Sequence, residues 1–420
     1  MSFETSVSGI KAAATDLSVV GNNVANSSTT GFKSAKAEFG DLYASSLLGT
    51  VAQGGGQGVA LQAINTNFSQ GSIDFTSNEL DLAINGNGFF QLSDNGEALY
   101  TRAGAFTVDK GGYIVSQAGH RLQGLPLDGE GAITGALGDI KLSTQLVAPQ
   151  GTKSAEIVAN LDSREVPPET VWTGNFNAFA TPPTQPDASM YNSSTSMTVF
   201  DDLGNPHVMS ISFVKGTNNA WEARTLIDGV ETGAATALPF SADGKFAAAD
   251  LPLKINITDW QPLDSTGASN GAPLQSFTVD LSDSTQYGAV FGTSSIVQDG
   301  YTAGQMRGVE VDESGVVFAR YTNGQSQSLG QVILANFNNP HGLANAGSTN
   351  FVESYASGSP IQAAAGSGGT GVIQSGALEG SNVELTEQLV RMIVAQRNFQ
   401  ANAQMIQTED AVTQTVINLR

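Results

Sequence analysis

The 420-residue chain has no cysteine, which removes disulfides and thiolate metal sites together. Its only three histidines, His120, His207 and His341, lie too far apart for the paired spacing of a zinc site. Positive charge is scarce: 18 Lys and Arg stand against 39 Asp and Glu, a formal net charge of -21. A chain of that sign repels nucleic acid phosphates and anionic lipid headgroups, so neither is an expected partner. No apolar run approaches the roughly 18 residues of a membrane span, which argues against membrane insertion. The one candidate for a cleaved secretory signal is interrupted by Lys11 and Asp16. Composition alone describes a soluble protein and points to the cytoplasm.

What is present is enough to fold. Hydrophobic residues make up 40% of the chain and include 20 Phe, so packed domains are expected, and the length calls for two or three of them. Charge is unevenly placed. Residues 1–40 balance Lys11, Lys33 and Lys36 against Glu4, Asp16 and Glu38, and residues 380–420 set Arg391, Arg397 and Arg420 against Glu384, Glu387, Glu409 and Asp410. Nearly all the net negative charge therefore falls between near-neutral ends. Such ends can pack against copies of themselves while a charged middle stays solvated.

Both ends read as helices. Phe3, Val7, Ile10, Ala14, Leu17, Gly21 and Val24 alternate spacings of four and three, a heptad seam that Ser2 can cap and the 27–31 Ser/Thr/Gly cluster ends. At the other terminus Ser381 and Glu384 have capping-box spacing and precede Leu385, Leu389, Met392, Phe399, Ala403, Ile406, Thr413 and Ile417, with Gln396 and Asp410 as polar interruptions. A helix over about 382–419 would be roughly 57 Å long. Thin apolar stripes bury little on their own, so the two helices are expected to pair as a coiled coil and to pack on neighbouring copies.

Between them the period becomes two and the chain is rich in Gly, 48 in all. Strands are predicted at 89–92, 98–102, 105–108, 113–116 and 120–123, separated by turn sequences such as Asp94-Asn95-Gly96. A second meander covers 308–311, 316–321 and 331–337, and a third β region holds 196–200, 207–214, 221–227 and 277–281. The fold class is thus multidomain and mainly β with helical termini. Pairing of the ends nests the domains: 1–65 with 360–420, 66–146 with 297–359 as an inner β domain, and 147–296 as an outer β domain. Gly54-Gly55-Gly56 and Gly366-Ser367-Gly368-Gly369 would supply flexible joints.

Several strings imitate catalytic motifs and fail in context. Gly267-Ala268-Ser269-Asn270-Gly271 fits G-x-S-x-G but lies among turn residues, not between a strand and a helix. Ser8-Gly9-Ile10-Lys11 lies on the heptad helix, with no K-T-G to complete it. Gly86-Asn87-Gly88 has Gln91 where a dinucleotide loop needs its third Gly. Asp201-Asp202-Leu203-Gly204-Asn205 could touch calcium, though a hairpin turn accounts for it as well. No catalytic, cofactor-binding or metal site is expected. A glycan-binding β protein would leave the paired termini without a purpose, and a hydrolase would need a converging Ser, His and acid that no motif supplies in context.

Longer strings carry a family resemblance. Gly21-Asn22-Asn23-Val24-Ala25-Asn26 with Thr30-Gly31-Phe32-Lys33 resembles the N-terminal signature of the axial proteins of the bacterial flagellum, its rod and hook subunits. Ile84-Asn85-Gly86-Asn87-Gly88-Phe89-Phe90, Tyr100-Thr101-Arg102-Ala103-Gly104 and Leu122-Gln123-Gly124 are similar to that family's shared β segment. The strings 376–383 and 392–403 are similar to its C-terminal helix. The large middle, with 197–201, 213–215 and 330–337, resembles the hook branch; a distal rod-type protein is the alternative.

The resemblance implies a non-enzymatic subunit, exported without signal cleavage by the flagellar type III apparatus and polymerised into a flexible hollow tube outside the cell, which overturns the cytoplasmic expectation from composition. Implied partners are further copies of the chain, a distal rod protein, a hook cap protein and a hook–filament junction protein, with no cofactor. Seams and signature together make Val7, Ile10, Leu17, Asn22, Asn23, Val24, Asn26, Gly31, Phe32, Leu385, Leu389, Met392, Phe399, Ile406 and Ile417 the expected subunit-assembly residues.

Overall fold

The computed structural model describes residues 3–42, 58–127, 135–142, 145–217 and 220–418. The capping Ser2 and the 54–56 Gly run lie outside them. Two long helices bracket the described chain, α1 at Phe3–Ala25 and α2 at Leu385–Asn418, and strands fill the interval. Two compact units result. The first holds residues 1–144, 307–320 and 326–420, and the second holds 145–306 with 321–325.

α2 has 34 residues, about 51 Å at 1.5 Å per residue. It begins later than the Ser381 capping box predicts. The Ser381 hydroxyl accepts from Val383 N (3.3 Å) instead of from the helix, and the first helical bond runs from Gln388 N to Glu384 O (3.0 Å). Asn382 explains the delay, because its side chain is committed elsewhere. Its Oδ1 accepts from Ser34 N (2.7 Å), and its Nδ2 donates to Asn67 O (2.8 Å) and Ser69 O (3.0 Å).

Beside α1 lies an antiparallel pair, β1 (Ala35–Asp41) and β2 (Val59–Thr66). The rest of the first unit is built on one large sheet into which both predicted meanders merge. The strand Ser326–Asn336 pairs with Arg121–Pro126 at one end and with Phe89–Asp94 at the other, all antiparallel. Turn chemistry sets the hairpins: Asn95 (φ 50°) and Gly96 (φ 99°) are both left-handed, as the tight turn joining Phe89–Asp94 to Glu97–Thr101 requires. Phe89, Tyr100, Phe337 and Phe351 form an aromatic core against Phe68, with edge-to-face contacts such as Tyr100–Phe337 at 4.9 Å.

The second unit is a sandwich of two five-stranded sheets. One is Ser193–Phe200, Pro206–Lys215, Trp221–Ile227 and two short strands; the other centres on Ser154–Asp162, flanked by Gln275–Asp280 and Gly292–Gln298, with Lys254–Trp260 outside. Alternate residues from both sheets, including Ile157, Leu161, Val199, Ile211, Phe213, Trp221, Ile255, Phe277 and Val279, make one core. Many outward positions on the second sheet are polar, Ser154, Glu156, Lys254, Asn256, Thr258 and Ser276 being exposed, and Val297 opposite Glu156 is an exposed apolar exception. The chain enters and leaves this unit side by side, because Val147 pairs with Gly304 and Gln150 with Tyr301.

Candidate assembly site

The two helices pack together through small and polar side chains. On α1 the buried positions are Ser6, Ala13, Val20 and Asn23, and on α2 they are Gln388 and Ala395. A Cβ built on Gly9 would lie 2.5 Å from Asn402 Oδ1, and Asn23 Nδ2 donates to Gln388 Oε1 (3.1 Å). Gly9 to Asn23 and Asn402 to Gln388 each span two heptads, so the helices run antiparallel. By this register, the part of α2 after about residue 408 extends past Phe3.

Asn23 also fixes the helices to the strand pair. Its amide behaves like a strand backbone: Nδ2 donates to Ala35 O (2.7 Å) and Oδ1 accepts from Ala35 N (2.9 Å). The Ser8 hydroxyl accepts from Val59 N (3.2 Å) and donates to Thr5 O (2.8 Å), tying β2 to the same helix.

The buried row on α1 stands one residue before the predicted seam. Val7, Ile10, Leu17 and Val24 are consequently half-buried, as are Asn26 and Phe32; Asn22 is exposed; Asn23 and Gly31 are buried. On α2, Met392 and Ile406 are half-buried, whereas Leu385, Leu389, Phe399 and Ile417 are exposed. Val390, Ile393 and Val394 add to that exposed apolar surface. The structure therefore brings Asn23 to Gln388 of α2 and Gly31 to Glu379 just before it, and leaves Leu385, Leu389, Phe399 and Ile417 exposed within the chain.

The main feature missed from sequence is a charged knot in the same region. Glu379, fully buried, receives Lys33 Nζ on Oε1 (2.6 Å) and Arg102 Nη1 on Oε2 (3.1 Å). Oε1 also accepts from Gly71 N (2.9 Å), and the Glu379 backbone carbonyl accepts from Gly31 N (2.7 Å). Further bonds reach main-chain carbonyls, Lys33 Nζ to Ser69 O (2.7 Å) and Arg102 Nη2 to Gly86 O (2.7 Å). Burial draws the Lys33 ammonium below the ordinary lysine range; the Glu379 carboxylate opposes this, and the Arg102 charge adds to it. Burial likewise lowers Arg102, against the pull of Glu379. The only sequence signal for this knot was that each of the three residues lies inside one of the family-like strings.

In the second unit, the Asp201 carboxylate accepts from Leu203 N (3.0 Å) and Asn205 N (2.7 Å), which closes the hairpin turn. Its Oδ2 takes Asn270 Nδ2 (2.6 Å) and lies 3.5 Å from His207 Nε2, while His207 Nδ1 lies 2.6 Å from Asp228 Oδ2. Among the described residues no His, Asp and Glu cluster is arranged to hold a metal ion, and no helix is long and apolar enough to cross a membrane.

The chain matches four family models of flagellar axial proteins. They are the flagella basal body rod protein (residues 3–33), the flagellar hook protein FlgE/F/G D1 domain (83–160), the flagellar basal body protein FlaE D2 domain (160–301) and the flagellar basal body rod FlgEFG protein C-terminal (374–419). Lys33, Arg102 and Glu379 fall in three different ones. The chain belongs to the flagellar hook protein FlgE family. It is 38% identical to flagellar hook protein FlgE of Salmonella typhimurium over 435 positions and 39% identical to that of Escherichia coli over 434, with both chains covered completely. FlgE of Borreliella burgdorferi is 36% identical over 462 positions, covering 100% of this chain and 99% of the relative. The crystal structure of Helicobacter pylori FlgE2 shares the fold, with a TM-score of 0.52 over 73% of this chain and 100% of that one, at 14% identity.

Proposed function

We propose that this chain is a structural, non-catalytic subunit that builds the tube of a flagellar hook by packing its terminal helices against those of neighbouring copies. The observation that carries this reading is the exposed apolar surface of α2, Leu385, Leu389, Val390, Ile393, Val394 and Phe399, on a helix whose contact with α1 uses other residues. Rows of that kind are stabilised once a second copy covers them, at about 25 cal/mol for each Å² removed from water. Half-buried Val7, Ile10, Leu17 and Val24 are the α1 contribution to the same contacts. Residues 1–65 with 360–420 act as the assembly layer, 66–146 with 297–359 as an inner β layer and 147–296 as an outer one. The polar outward face of Ser154, Asn256, Thr258 and Ser276 suits contacts between outer layers that exchange partners as the tube bends, since wet polar contacts are replaced at little cost. That mechanical division makes the tube a universal joint between motor and filament.

A distal rod-type role has less behind it, because hook proteins align over the full length of the chain. Export through the flagellar type III apparatus, a rod protein below, a cap protein during growth and a junction protein above complete the assembly. The test is electron microscopy of purified chain at polymerising concentration, beside a chain lacking 3–25 and 385–418. Hollow tubes from the first and none from the second are expected; tubes from the truncated chain would refute helix-driven assembly.

A further inference from the structure

Three stretches of chain run between the helical layer and the β body of the first unit: the loop after α1, the segment after β2 and the approach to α2. All three meet at the Glu379 carboxylate or its main chain. We propose that Glu379 is a positioning residue for assembly: it fixes the direction in which α1 and α2 leave the β body, and so whether the apolar rows of adjacent copies meet in register. This deepens the assembly reading and rests on it.

The charge count favours positioning over stability. Two cations share one carboxylate in a buried site, an arrangement that desolvation penalises and that an apolar cluster would replace at less cost. Arg102 Nε, buried, has no partner among the described residues. What the arrangement provides is direction, because each bond comes from a different segment: Lys33 from the α1 side, Gly71 from beyond β2, and Arg102 from the β body.

The main chains around the carboxylate are also in contact. A Cβ on Gly31 would lie 2.4 Å from Ala103 N, and one on Gly71 would lie 2.1 Å from Gly380 O. A shift in one segment must therefore move the others. α2 is a long lever on this base: a tilt of about 5° displaces the far end of a helix of about 51 Å sideways by about 4 Å.

Because the native chain has no cysteine, a pair of nitroxide labels can be placed uniquely, at Thr107→Cys on the β body and Gln400→Cys on α2, both exposed. With Glu379 present, the pulsed electron paramagnetic resonance distance between them is expected to form one narrow population. Glu379→Gln is expected to shift or broaden it by several ångström and to raise the concentration needed for polymerisation at least tenfold, with far-ultraviolet circular dichroism unchanged. Glu379→Asp, which keeps the charge on a shorter arm, should restore a narrow population at a displaced mean. Native distances and native polymerisation in Glu379→Gln would overturn the proposal. So would unfolding in Glu379→Gln combined with native behaviour in Glu379→Asp, which marks a residue needed only for folding. Should the unlabelled native chain itself fail to polymerise, the assembly reading falls, and with it the role in assembly; the distance change in Glu379→Gln would then decide only whether Glu379 sets the helix direction.

Discussion

The sharpest test of the helix-to-body junction uses one chemical change, Gly to Ala, at two positions ten residues apart. At Gly31 the backbone is left-handed, φ 68°, and an added Cβ would lie 2.4 Å from Ala103 N, 2.6 Å from Ala103 Cα and 2.7 Å from the Arg102 carbonyl carbon. These are main-chain atoms that cannot turn aside. Holding Ala in that conformation costs roughly 1–2 kcal/mol. Relieving the overlap adds about 1–3 kcal/mol, and weakening the Gly31 N to Glu379 O bond about 1 kcal/mol more. A total of about 3–6 kcal/mol is a large share of the roughly 5–15 kcal/mol that holds a domain together. At Gly21, inside α1, a Cβ meets nothing within 4 Å, so Ala should stabilise the helix by about 0.5–1 kcal/mol. The assay separates the units without labels: all three tryptophans, Trp172, Trp221 and Trp260, lie in the second unit, so their emission follows its unfolding alone. Helical circular dichroism in urea follows the first unit, where both long helices lie. Gly31→Ala should lower the circular dichroism midpoint strongly and leave the tryptophan midpoint in place, and Gly21→Ala should raise the former slightly. Equal midpoints for Gly31→Ala and the parent would refute the reasoning.

Phe399→Asp alters a side chain 40% exposed in the single chain, so the monomer should fold normally while the polymer loses several kcal/mol per subunit if the site is buried there; wild-type tubes by electron microscopy would place Phe399 on a solvent face. His207 is pulled down by burial, but its bonds and charge contacts with Asp228 and Asp201 outweigh this and raise it above 6.5. Its contribution is thus complete below the unfolded value and is lost as pH rises through the raised folded one, so the tryptophan midpoint should fall as pH rises across that interval. His207→Gln should flatten that slope, and an unchanged slope would disprove the linkage. Deleting 147–296 should leave the first unit folded and able to form tubes with altered stiffness; a chain that fails to fold would show that the boundary is misplaced.

Strand positions were legible in most places where large inward residues alternate between clear turn residues, although Lys254–Trp260, with Ile255, Ile257 and Trp260 inward, went unread. All five segments between Phe89 and Pro126 and the meander ending at Asn336 were readable from period two and turn residues. Ser154–Asp162 went unread although it centres a sheet, because half of its inward positions are Ala155 and Ala159, too small to stand out from a polar background. The α1 seam was read one residue late for a related reason. Spacing finds the widest apolar row, whereas the helices meet through Ser6, Gly9 and Ala13, which allow close approach. The knot of Lys33, Arg102 and Glu379 could not be read, since its members are separated by 69 and 277 positions and ordinary surface-type residues carry no sign of burial. Asn382 shows the same limit locally: as the second residue of a capping-box pattern it promises a helix, and only its bonds to Ser34, Asn67 and Ser69, beside the ends of β1 and β2, explain why the helix waits until Leu385.

The doorway formed by Val147 with Gly304 and Gln150 with Tyr301 has an evolutionary consequence. When a segment departs and returns through neighbouring positions, everything beyond the doorway can lengthen, shrink or be exchanged while the backbone below it keeps its course. Alignment to the Borreliella burgdorferi relative needs 462 positions to accommodate the 420 residues here, so that relative carries additional residues. Residues added beyond such a doorway enlarge the second unit while the strand pairs on its near side keep their register.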